Sequence, residues 1–276
     1  MTQHLPPTGF HSPRFIRLLA DFAIDGSTDA LDTKHSKHSK QSFAERLGQW
    51  LNLTNAIMLS GALNPRVGST PAALSRTDGE FEAQLAQTRS TLTESITANG
   101  VLRPGKARIK LPAPTAVADF APYRRYYTAH QRDMEASIGA LRASVRVALA
   151  KHSPALRQLA ELDAVLDKVM NERERNLLAT VPQLIEKRFE QLRAAHRQAQ
   201  AEAQQADDPT QWMLPGGWLA RFCEDMQGVL LAELEVRLQA VTGMIETFSN
   251  ERRREAVSPP PPSELAKATP DGALFS

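Results

Sequence analysis

Apolar residues recur at three- and four-residue intervals along almost the whole chain, and no stretch alternates with the period of a strand. The first stripe is Phe15, Ile16, Leu18, Leu19 and Phe22. It follows Ser12-Pro13, an N-cap ahead of a proline at the first helical position, and stops near Gly26. A polar stretch over 26–41 leads to a second helix opened by the capping box Ser42/Glu45. That helix carries Phe43, Leu47, Trp50, Leu51, Ile57 and Met58 on one side and ends at Asn64-Pro65. Thr77 and Glu80 repeat the capping pattern before Phe81, Leu85, Leu92 and Ile96, a stripe that ends at Asn99-Gly100.

Pro104, Pro112 and Pro114 make 100–118 a linker rather than a helix. A long helix is predicted over 119–151, with Phe120, Met134, Ile138, Leu141, Val145 and Leu149 facing inward. Ser153-Pro154 opens the next helix at once, so the two are antiparallel neighbours. This second helix reaches about Gln205 and should kink at Pro182. Asp207-Asp208-Pro209 and Pro215-Gly216-Gly217 form the return loop. A last helix over 218–250 carries Phe222, Met226, Val229, Leu230, Leu234, Leu238, Val241, Ile245 and Phe248. The expected fold is all-α, an elongated antiparallel helical bundle with long coiled-coil-like helices. It divides into a flexible N-terminus (1–11), N-terminal helices (12–99), the linker (100–118), a three-helix bundle (119–250) and a disordered Pro-rich tail (251–276).

Composition adds exclusions. Of the 276 residues 42% are hydrophobic and 23% charged, which suits a folded globular protein rather than a disordered one. A net charge of +2 gives no overall attraction to nucleic acid or membrane. Cys223 is the single cysteine, so there is no internal disulfide and no multi-cysteine metal site. The first ten residues hold no Lys or Arg and no apolar run follows, so the expected compartment is the cytoplasm. The longest uncharged run, Leu47 to Pro65, contains Gln49, Asn52, Thr54, Asn55, Ser60 and Asn64. It reads as a buried helix rather than a membrane span.

Three stretches, SFAERLGQWLNLTNAIMLSGAL from Ser42, PYRRYYTAHQRDMEASIGALRASVRV from Pro122 and WLARFCEDMQGVLLAELEVRLQAVTG from Trp218, resemble an uncharacterised proteobacterial family known only as a domain of unknown function. The resemblance brings no catalytic residues with it. It implies relatives that are cytoplasmic members of gene clusters beside MotA/ExbB-like and OmpA-like membrane proteins, similar to Zorya-type antiphage motors. An accessory role beside a membrane motor is what the resemblance implies.

The chain has no phosphate-loop, dinucleotide, zinc-protease or serine-hydrolase motif, and nothing in it calls for a cofactor. Gly216-Gly217 reads as a turn, with a phosphate cradle as the sharper alternative. Cys223 lies on an apolar face and reads as an inert thiol, because no His is near in sequence to activate it. His35 and His38, three apart among lysines, read as a solvated loop ahead of a metal pair. His130 and His196 read as surface residues.

Two surfaces stand out. Between 101 and 151 there are ten cations against three anions, and Tyr123, Tyr126 and Tyr127 interleave with Arg124 and Arg125. With Arg132 they form a candidate nucleic-acid surface within 101–146. The competing reading is that antiparallel packing sets Arg125 and Arg132 near Glu172 and Glu174 and turns the tyrosines into packing residues. The run Asn171 to Asn176 is then a solvated band or a charged layer that fixes helix register. The second surface is Trp218, Leu219, Phe222, Met226 and Val229, opposite a Gln/Ala-rich and weakly apolar part of the central helix. This face must be covered by the helix around Trp50 or by a protein partner or second copy of the chain. The resulting expectation is a non-enzymatic interaction subunit, with nucleic-acid binding as the alternative.

Overall fold

The computed structural model describes residues 14–24, 60–63, 79–97, 109–112, 118–204 and 206–257. Among them the regular structure is helical, with no strand: α1 (Arg14–Ile24), α2 (Glu80–Thr97), α3 (Ala121–His152), α4 (Pro154–Leu178), α5 (Val181–Ala203) and α6 (Trp218–Val257), with a 3-10 turn at Pro209–Gln211. The all-α reading holds. The helix expected around Trp50 and the His35/His38 segment lie outside the described residues.

The punctuation read from the sequence acts where it should. The Ser153 hydroxyl accepts from Leu156 N at 3.2 Å, capping α4 directly after α3 ends. The central helix breaks at Ala179-Thr180, and Pro182 sits in the first turn of α5, where its missing N–H costs nothing. Thr180 closes the break by donating from its hydroxyl to the Leu177 carbonyl at 2.6 Å. In the return loop the Trp212 carbonyl accepts from both Leu219 N and Ala220 N, taking two of the free donors at the start of α6. Gly217 makes that approach possible, since a Cβ there would lie 2.3 Å from the Trp212 oxygen. The last helix continues past Asn250 to Val257. Arg252 lies over the Phe248 ring and Arg253 donates to the Asn250 side chain, so the charged run extends the helix instead of ending it.

Helix α4 runs back along α3, and α6 runs antiparallel to the α4–α5 line and parallel to α3. Arg188 of α5 pairs with Asp225 of α6, and Glu174 of α4 with Arg237 further along α6. The Glu80–Thr97 helix packs along both α3 and α6, so the long helices form a four-helix bundle in which α2 is the fourth member. Phe81 meets Phe248 edge-on at 5.7 Å near one end of α2. At the other end the Ile96 carbonyl accepts from Tyr126 of α3 and Gln227 of α6, so side chains from two partner helices satisfy a terminal carbonyl of α2. Helix α1 lies across α5 and α6, where Phe22 is buried beneath the Arg188 guanidinium.

Candidate functional site

Two cross-helix polar clusters occupy the middle of the bundle. In the first, Arg142 and Arg146 of α3 face Asp163 and Asp167 of α4, each pair four residues apart and so on one helix face. Arg142 forks onto Asp163, Nε to Oδ2 at 2.9 Å and Nη2 to Oδ1 at 2.6 Å, and reaches Asp167 through Nη1 at 2.7 Å. Arg146 repeats the pattern, at 2.6 Å to Asp163 and 2.9 Å to Asp167. Burial works against the Arg142 charge, but the hydrogen bond and carboxylate of Asp163 outweigh it and raise its pKa above the ordinary arginine value. This clasp takes two cations out of the basic stretch and fixes the sliding register of α3 against α4.

The second cluster centres on Glu233 of α6, which is 0% exposed. Its carboxylate accepts from Tyr127 Oη at 2.6 Å, from Gln131 Nε2 at 3.2 Å and from Arg237 at 2.8 Å. Gln131 also donates to the Leu178 carbonyl at 3.3 Å, a carbonyl freed by the α4–α5 break. One amide group thus ties α3 and the end of α4 to the buried carboxylate of α6. Burial, then the Glu233 charge and its hydrogen bond, push the Tyr127 phenol far up, so it remains a donor. Between the clusters lies a cleft of about 250 Å³ lined by Arg142, Arg146, Asp167, Glu174, Arg175 and Arg237, among others. Its guanidinium and carboxylate groups are engaged with one another: Arg175 pairs with Glu135 at 3.1 Å and Arg237 with Glu174 at 3.8 Å.

Residues 1–250 match the family described as "Protein of unknown function (DUF3348)". The chain belongs to the DUF3348 family. No curated protein and no solved structure matches it. The DUF3348 match runs from before α1 into α6 and takes in every residue of both clusters.

The candidate surfaces fare differently. Tyr123, Tyr126 and Tyr127 are buried at 4%, 4% and 0% exposure, so they cannot stack on a base. The correction has a simple cause. The three rings point at α6 and α2, where Tyr123 meets Phe222 edge-on at 5.3 Å and the other two hydroxyls find buried acceptors. Arg124, Arg125 and Arg132 are exposed on the opposite side of α3, and Arg124 is ion-paired with Glu186 of α5. The antiparallel packing read from the sequence is present, but it pairs Arg124 with Glu186 rather than Arg125 and Arg132 with Glu172 and Glu174.

Trp218, Leu219, Phe222, Met226 and Val229 are all buried, so the candidate partner surface is interior. Phe120 just before α3, Tyr123 of α3, Phe189 of α5, Trp212 of the loop and α1 pack against it.

His130 is also corrected from surface to core: it is 1% exposed, with its ring edge-on to Tyr126 at 4.5 Å. His196 is half-buried, stacked on Trp218 at 6.1 Å and 2.8 Å from the Asp207 carboxylate, which also accepts from Trp212 Nε1. Cys223 is buried, and desolvation pushes its thiol up to about 12, consistent with an inert side chain. No group of three or more potential metal ligands occurs among the described residues, and none of their helices is long and apolar enough to cross a membrane.

The sequence reading missed both clusters. The i, i+4 spacings Arg142/Arg146 and Asp163/Asp167, placed symmetrically about the turn at Ser153, were the available signal for the first. For the second, Glu233 interrupts the apolar stripe of α6 just before Leu234, and a charge at an inward position calls for a buried partner.

Proposed function

We propose that this DUF3348 protein is a non-enzymatic interaction subunit whose bundle serves as a rigid helical scaffold. The observation that supports this reading is how the carboxylates of the two clusters are engaged. Asp163 and Asp167 are spent on Arg142 and Arg146, and Glu233 on Tyr127, Gln131 and Arg237. Paired in this way they fix helix register and do not present a free base or nucleophile to a ligand. The motor assignment rests on the family resemblance alone: a cytoplasmic accessory of a membrane-motor antiphage complex. Affinity purification of the tagged chain from its native host tests it. Specific recovery of MotA/ExbB-like and OmpA-like proteins is expected, and recovery of neither would overturn the motor role.

Nucleic-acid binding loses its aromatic component with the burial of the three tyrosines and keeps only exposed cations such as Arg125 and Arg132. Titration with a random oligonucleotide at low salt is expected to give no saturable binding. A steep salt dependence that flattens in the Arg124→Gln/Arg125→Gln/Arg132→Gln variant would reinstate that reading and displace the scaffold role.

A further inference from the structure

At the aromatic end of the bundle a separate cleft of about 300 Å³ opens between the C-terminal half of α5, the return loop and the start of α6. Arg193, His196 and Arg197 of α5 line it from one side, and Asp207, Pro209, Trp212, Trp218 and Ala118 complete the walls. Its polar groups are unevenly used. Oδ1 of Asp207 accepts from Trp212 Nε1 at 2.7 Å and lies 2.8 Å from His196 Nε2. Among the described residues half-buried Arg193 pairs with the exposed Glu190 at 3.5 Å, a long contact of little strength. Trp218 is 7% exposed, and its Nε1 is buried with no hydrogen-bond partner in the protein. An indole N–H left unpaired in the interior is costly, and such a group calls for an acceptor.

We infer that this cleft binds a carboxylate carried on a small apolar body. Among the lining residues two guanidiniums, Arg193 and Arg197, stand against one carboxylate, Asp207, which favours an anion. The donors are of the right kind, since a guanidinium matches a carboxylate in a planar, two-point fashion and an indole N–H can only donate. The apolar part is met by Trp212, Pro209 and Ala118. The volume lies at the small end of the range for ligand pockets, which suits a short free acid or one acidic side chain of a peptide. This inference does not depend on the scaffold or motor reading.

Two of the three tryptophans of the chain line the cleft, so intrinsic fluorescence reports occupancy. Full-length protein is titrated with hexanoate, with the blocked peptide acetyl-Leu-Glu-Leu-amide and with inorganic phosphate. A saturable change with hexanoate or the peptide, weakened at least about tenfold in Arg193→Gln/Arg197→Gln and retained in Arg125→Gln/Arg132→Gln, is the expected result. Tighter binding of hexanoate assigns the site to a free acid, and tighter binding of the peptide assigns it to an acidic protein segment. Circular dichroism checks that the double variant is folded, and Arg197→Gln alone, at an exposed position, replaces it otherwise. The inference is overturned if neither carboxylate gives a saturable response, if the arginine variants bind as wild type does, or if phosphate binds at least as tightly as both.

Discussion

His130 is held neutral inside the bundle, its pKa lowered to about 4 because burial disfavours the imidazolium more than nearby Asp133 favours it. In the unfolded chain an imidazole takes its proton near pH 6.5. Between that value and about 4 the unfolded state binds the proton and the folded state does not, so stability falls as the solution is acidified through this window. The expected loss is up to about 3 kcal/mol, complete once the folded form also protonates. Denaturant midpoints across that pH range check this. In His130→Phe the decline should largely vanish, and an equal decline in that variant would assign the effect to other groups.

Among elements, the α3–α4 hairpin carries two arginines and two aspartates paired across its interface. Asp163, with an 11% exposed side chain, serves both guanidiniums. Truncating it leaves two cations partly buried with one carboxylate between them. Asp163→Ala is therefore expected to cost about 3–5 kcal/mol, the usual result of removing one member of a buried charged group. Replacing all four residues by Leu or Met of similar volume should cost far less, because no charge is left stranded. Urea unfolding of both variants separates these outcomes. A small loss in Asp163→Ala would show that water reaches the arginines.

Across the whole molecule, the aromatic end is where most elements meet: α1, the start of α3, α5, the return loop and the start of α6. Trp218→Ala and Phe222→Ala are each expected to lower folding stability by about 3–5 kcal/mol, since both rings empty a packed core site. Sedimentation of wild type and the folded fraction of each variant should give the same mass, because the face they belong to is covered within one chain. A fall in mass with the monomer still folded would instead make that face an interface between copies.

The sequence by itself determined the helices and most of their ends, because those depend on local chemistry. A 3.6-residue apolar period, the Ser153 cap, Pro182 at a first turn and Gly217 beneath the Trp212 carbonyl all act within a few residues. The antiparallel pairing of α3 with α4 followed from so short a turn, and the α3 surface carrying Arg124, Arg125 and Arg132 was legible as cationic. Which side chains are interior was decided only by tertiary structure. Tyr123, Tyr126, Tyr127 and His130 are amphipathic, and their polar atoms are tolerated inside only when another helix supplies an acceptor or an apolar wall. That wall comes from α6 and α2, one lying far along the chain and the other preceding the proline-rich linker. The apolar face of Trp218 to Val229 demanded a cover in either case. Among the described residues those that meet it lie on α1, α3, α5 and the return loop, and no local spacing records which distant stripe will meet it. The cleft between α5 and the return loop is likewise a product of packing. Arg193, Asp207 and Trp218 are ordinary residues in sequence and converge only when α6 folds back along α5.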